Sequence, residues 1–148
     1  MFFEKPVLIC DTREQSPLDF RPFSDRFQHI VRGTLKCGDY SILGHEHLIT
    51  FERKSLEDLV GTVIRSRERF IKELDKMKQM SYAAIVVEAA MSDVLEHRYR
   101  SQASPNSVIG LLQAFQVAYG VDLVWAGSRR NSAEIIMDRI EMYLESVA

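Results

Sequence analysis

No stretch of this sequence approaches the roughly 18 consecutive apolar residues that would cross a bilayer. Met1 to Pro6 also lacks a basic start followed by an apolar run, so neither a membrane helix nor a secretory leader is expected. Cysteine is nearly as scarce. Cys10 and Cys37 are the only two, they fall in expected strands, and they lack metal-ligand spacing, which predicts buried, reduced thiols. His45 and His47 stand two apart, but no further Cys or His completes a zinc set around them. These absences together favour a reducing, cytoplasmic setting. Positive charge is not in excess either: 19 Lys and Arg against 21 Asp and Glu leave a net charge of −2. General attraction to polyanions is thereby excluded, and any such binding must come from a local patch. There is no internal repeat and no low-complexity tract. What remains is 148 residues, 46% hydrophobic and 27% charged, the profile of a single globular domain able to bury a sizeable core.

The most informative stretch runs from Gly38 to Asp58. Around a turn at Gly44-His45-Glu46-His47, the apolar-rich flanks Tyr40 to Leu43 and Leu48 to Phe51 fit two strands of a hairpin with a four-residue loop. Facing positions in such a pair sum to 91, which sets Asp39 opposite Glu52. Opposed side chains lie only about 4.5–5.5 Å apart at Cβ, and like charges there destabilise the sheet unless something positive lies between them. The two-residue strand period adds Lys54 to the same face and turns Arg53 to the other. Two hard carboxylates beside an amine suit Mg²⁺ or Mn²⁺, ions that keep positions open for water and phosphate oxygens. The implied chemistry is phosphodiester hydrolysis, with Lys54 holding or helping to deprotonate the water.

Gly38-Asp39-Tyr40, then Glu52-Arg53-Lys54 with Asp58 four residues on, preceded by Asp11-Thr12-Arg13-Glu14, resembles the GDY, ERKxxxD and DxRE motifs of the XPF-type structure-selective endonucleases. The resemblance runs from about Val7 to the C-terminus, with the three motifs in family order and spacing. It implies a restriction-endonuclease-like, PD-(D/E)XK α/β core: a central mixed β-sheet flanked by helices. It also implies a divalent-metal-dependent DNA endonuclease in which Asp39 and Glu52 are metal ligands and Lys54 is the catalytic lysine. Asp11 and Glu14 would extend the acidic cluster directly or through water, and Arg13 and Arg53 would steady phosphate and neighbouring charge. Many family members append a tandem helix-hairpin-helix domain. Residues 1–148 read as the nuclease domain alone, so the chain would call on a separate targeting protein to select flap or fork DNA, bind it weakly alone, or act as a less selective nuclease. The family also includes partners with decayed motifs, so a non-catalytic DNA-binding or scaffold subunit is the rival reading. The intact motifs favour catalysis.

The other elements follow from pattern. Val7 to Cys10 reads as a central strand, the Pro-interrupted Gln15 to Phe27 as a loop or a short helix over Ser24 to Phe27, and His29 to Leu35 as a strand leading into the hairpin. Gly38 marks a bulge or a close backbone approach. Ser55 is placed to cap a helix, and Asp58 either serves that cap, pairs with Arg53 or joins the metal site. Arg65 to Met80 reads as one helix with Phe70, Leu74 and Met77 as its core stripe. Its outer face is basic, and the resemblance singles out Arg65 and Arg69 for DNA phosphates. Ala83 to Val87 is a buried strand ending at Glu88, a possible support for the site, and Ser92 to Glu96 is a helical turn. His97 to Arg100 is a basic and aromatic patch or simply a polar loop. A helix from Ser104-Pro105 to Tyr119, a strand over Leu123 to Trp125 and a helix over Ala133 to Val147 complete the chain. Both long helices are apolar on more than one face. The family dimerises through this half, so a homodimer is expected.

Overall fold

A computed structural model describes residues 3–148. The β-branched and aromatic runs form six strands: β1 (Leu8–Asp11), β2 (Ile30–Gly33), β3 (Tyr40–Ile42), β4 (Ile49–Lys54), β5 (Tyr82–Val87) and β6 (Asp122–Trp125). They make one mixed sheet in the order β2-β1-β3-β4-β5-β6. β3 runs antiparallel to β1 and β4, while β1/β2, β4/β5 and β5/β6 are parallel pairs. One consequence positions the site. Because β3 runs against its neighbours, its beginning lies at the same sheet edge as the ends of β1 and β4. Asp11, Asp39 and Glu52 to Lys54 therefore gather at one edge.

The hairpin keeps the expected register, with Tyr40 opposite Phe51. Its loop is longer than expected. β3 ends at Ile42 and β4 starts at Ile49, so Leu43 to Leu48 turn the chain, closed by hydrogen bonds from His45 N–H to Ile42 O and from Leu48 and Ile49 N–H to His45 O. The exposed Leu43 and Leu48 leave the ladder because neither face covers them there. Gly38 is a close approach, as expected: its φ is +78°, and an added Cβ would lie 2.0 Å from Thr50 Oγ1. Cys37 is not in a strand; it lies in the loop before β3, where its carbonyl accepts a hydrogen bond from Thr50 Oγ1. Both thiols are free and buried.

Alternation along the strands splits the core in two. Tyr40, Ile42, Ile49, Phe51, Ala84 and Val86 face α5 (Arg129–Val147) and the 3₁₀ segment Arg21–Arg26. Ala83, Ile85 and Val87 face α1 (Leu56–Arg65), α2 (Arg67–Met77), α3 (Met91–Leu95) and α4 (Pro105–Tyr119). The expected single helix over 65–80 is broken. Ser66, at φ −119° and ψ 37°, separates α1 from α2. α5 begins a turn earlier than expected, because the Ser128 hydroxyl accepts from Asn131 N–H and caps it. β2 pairs in parallel with β1 at the sheet margin instead of leading directly into the hairpin.

Candidate active site

Asp39, Glu52 and Lys54 open into one cavity of about 320 Å³, walled by Asp11, Arg13 and Gly38 on one side and by Thr62, Ser66, Arg69, Phe70 and Glu73 of the α1–α2 layer on the other. Strand alternation sends residues 50, 52 and 54 toward that layer and residues 49, 51 and 53 toward α5. Asp39 is held from behind, since one carboxylate oxygen accepts from the Arg53 backbone N–H at 2.8 Å. The Lys54 Nζ donates to Thr62 Oγ1 at 3.3 Å, which steers the amine along the cavity wall.

Burial is the main force on both carboxyls. It pushes Asp39 up to about 6, against the opposing pull of the Arg53 N–H. It pushes Glu52 up to about 7; Lys54 offsets part of this, and Asp39 and Glu73 add to it. Two desolvated acids in one cavity lack a positive partner strong enough to keep both ionised. These two groups therefore bind more protons in the native state than in the unfolded chain between about pH 4 and pH 7, and the stability they contribute should fall as pH rises through that window. Thermal melts in EDTA should show a Tm that drops by several degrees from about pH 5 to pH 8, for about 1–3 kcal/mol in all. Added Mg²⁺ should restore more stability at the alkaline end, where both carboxylates are ionised and no proton competes with the ion. A Tm that rises with pH in EDTA would contradict this electrostatic picture.

The family model of the ERCC4 domain matches residues 10–138, a span that contains every residue of this cavity. The chain belongs to the ERCC4 domain family. In structure it is similar to XPF from Aeropyrum pernix, with a TM-score of 0.74 at 22% identity over 93% of this chain and 61% of that one. It is similar also to XPF from Aeropyrum pernix in complex with DNA, with a TM-score of 0.72 at 22% identity over 94% of this chain and 66% of that one. This ERCC4 domain thus spans less than two thirds of either solved chain. The likeness establishes the restriction-endonuclease-like fold, a mixed sheet between helical layers. No curated protein matches the sequence.

Within this ERCC4 domain the expected site residues separate into three groups. Asp39, Glu52 and Lys54 share the cavity with Arg13 and Asp11, but the Asp11 carboxylate is already occupied. Its oxygens accept from Arg13 N–H, Nε and Nη2 and from Leu35 N–H, at 2.8–3.1 Å. Burial alone would raise Asp11, and these bonds outweigh it to hold the carboxyl below its usual range. Asp11 is therefore the base on which Arg13 is mounted. Arg53 lies on the other face of the sheet, as strand alternation predicts, and Glu14 lies there with it instead of extending the acidic cluster in the cavity. The Arg53 guanidinium donates to Glu14 at 2.7 and 2.9 Å and to Glu88 at 2.9 Å, and Tyr40 Oη donates to Glu14 at 3.3 Å. Asp58 is exposed in the first turn of α1, where its N–H donates to Ser55 Oγ; the partners of Arg53 are Glu14 and Glu88 instead.

Arg69 reaches the cavity wall, whereas Arg65 ends α1 just outside it. Glu73, Thr62 and Ser66 were not anticipated. Glu73 and Thr62 flank the buried stripes of their helices, one position from Leu74 and Val63, and that flanking place was the available signal. Other polar groups singled out by the sequence lie outside the cavity. Arg98 pairs with Asp93 and Glu96, Tyr99 is buried, and the His45 ring shares a 2.8 Å hydrogen bond with the Tyr143 hydroxyl. No helix among the described residues is long and apolar enough to cross a membrane.

The donor set bears on which ion suits the cavity. Among the described residues no three Asp, Glu, His or Cys side chains cluster as a ready-made ligand set. Asp39 and Glu52 face the cavity with no arginine claiming them, and Glu73 of α2 stands on the wall opposite, whereas Asp11 is bound by Arg13 and Glu14 by Arg53. Two carboxylates with space for water fit Mg²⁺ or Mn²⁺, which keep several waters and take phosphate oxygens directly. They do not suit a caged Ca²⁺ or a structural zinc.

Proposed function

We propose that this ERCC4 domain is an endodeoxyribonuclease that uses Mg²⁺ or Mn²⁺ to hydrolyse phosphodiester bonds, with flap or fork DNA as substrate. The observation that carries the reading is the meeting of two desolvated carboxylates and an amine in one open cavity beside an arginine mounted on a buried aspartate. Asp39 and Glu52 would hold the cation. When bound, the ion supplies Lewis-acid polarisation of the phosphoryl group and lowers the pKa of the attacking water. Lys54, steered by Thr62, orients that water toward phosphorus. Arg13 and Arg69 neutralise the phosphate oxygens, and Arg65 contacts the backbone further along. Water adds to phosphorus as the bond to the 3′ oxygen breaks, leaving a 5′-phosphate and a 3′-hydroxyl. Glu14, Arg53 and Asp58 support this centre from outside the cavity, Arg53 through the backbone N–H that braces Asp39.

A homodimer through the C-terminal half is part of the same proposal. α4 buries only Val108 and Leu112 fully, Val117 is 88% exposed, and β6 is a sheet margin with half-buried Leu123, Val124 and Trp125. α5, by contrast, is largely consumed by the core. A monomer mass by light scattering would remove the dimer. The deciding assay incubates the protein with labelled flap, fork, duplex and single-stranded DNA, with and without Mg²⁺ or Mn²⁺. Cutting that requires the ion and favours branched DNA is expected. DNA that is bound but uncut with either ion would leave a scaffold subunit.

A further inference from the structure

We propose that the elbow between α1 and α2 is a phosphate-binding groove that grips the cut strand on one side of the scissile bond only. The strand's identity rests on the endonuclease reading above. Arg65, Arg67, Arg69 and Lys72 line an open groove of about 530 Å³ with Ser66, and Glu68 is the single carboxylate among them. All four cations are exposed, and none appears in an ion pair among the described residues. Residues 65–72 thus carry a net charge of +3 in a chain whose total is −2.

This concentration is a local feature of an otherwise acidic molecule. The helix break at Ser66 creates it, folding the end of α1 against the first turns of α2 so that like charges face one groove. Bringing unpaired cations together is unfavourable in the free protein, and an array of phosphates relieves the repulsion. The groove is also continuous with the carboxylate cavity, because Ser66 and Arg69 line both. On the cavity's opposite wall the only cation is Arg13. A strand with one phosphate at Asp39 and Glu52 would therefore lay its next phosphates over the elbow on one side and pass Arg13, already paired with Asp11, on the other.

The test uses the R67A/K72A variant, whose two side chains line the groove and not the cavity and are exposed, so folding is not at stake. Binding of a labelled fork and of its isolated single strand is measured by anisotropy in EDTA over a salt series, with wild-type protein as reference. Affinity at low salt should fall about tenfold, and the slope of log Kd against log salt should flatten by about 1.4 to 1.8, two phosphate contacts' worth. K78A is the control, since Lys78 sits over the Tyr119 ring beyond the far end of α2. In cleavage, trimming the substrate stepwise from one side of the cut should raise KM for the wild type, trimming the other side should not, and R67A/K72A should lose the asymmetry. An unchanged salt slope, an absence of wild-type binding, or equal sensitivity to trimming on both sides overturns the groove. Flattened slopes in a protein that cuts nothing would instead reject the endonuclease reading and leave the groove standing.

Discussion

Asp39→Asn and Lys54→Ala are each expected to lower metal-dependent DNA cleavage by about 10²–10⁴-fold, the range for removing a group that acts on the proton or charge of the transition state. Asn at position 39 preserves shape and an oxygen to accept the Arg53 N–H, so the bracing bond survives while one of the two proposed cation-holding carboxylates is lost. Because Asp39 is a desolvated acid raised to about 6, the neutral amide should leave the metal-free protein as stable as the wild type, or more so, at neutral pH. Lys54→Ala removes an amine whose one hydrogen bond among the described residues is to Thr62, so little stability is at risk. Circular dichroism and a thermal melt in EDTA should give native curves for both variants, and a cleavage time course should show almost no product. Cleavage at the wild-type rate by both would reject the assigned centre, and unfolding of both would show that these side chains serve the fold.

Arg53→Met should act in the opposite way, through stability. The guanidinium is 15% exposed and bridges Glu14 and Glu88, themselves 7% and 11% exposed, across the α5 face of the sheet. Burial alone would raise Glu14, yet its bonds to Arg53 hold it below its usual range, so the pair depends on that one cation. Methionine fills much of the volume but leaves two buried carboxylates facing each other, a loss of about 3–5 kcal/mol for a broken buried pair. Arg129 limits the damage slightly, since its Nη1 reaches Glu88 at 3.3 Å. A fall in Tm of roughly 10 °C is expected. Cleavage measured well below that Tm should largely persist, because Arg53 braces Asp39 by its backbone N–H and not by its side chain. An unchanged Tm with abolished cleavage would return Arg53 to the reacting centre.

These two contrasting effects show where local pattern suffices and where it does not. The register that sets Asp39 beside Glu52 and turns Arg53 away from Lys54 was legible because strand geometry has a period of two. Once one facing pair is known, every side chain's face follows, even though the loop proved one residue longer at each end. The opposite fates of Asp11 and Asp39 were not legible. Both are acids at the same sheet edge, and only the folded chain shows that Arg13 and the Leu35 N–H claim one carboxylate while the other meets just a backbone N–H.

By itself the sequence determined the family motifs, the hairpin and the company of Asp39, Glu52 and Lys54, since these depend on spacings of a few residues and on strand alternation. Tertiary structure alone decided that α2 breaks from α1 at Ser66, that Glu73 and Arg69 wall the cavity, and that Glu88 joins Glu14 around Arg53. Those partners are brought together by helices and strands packing on opposite faces of the sheet, over separations at which periodicity carries no information about contact.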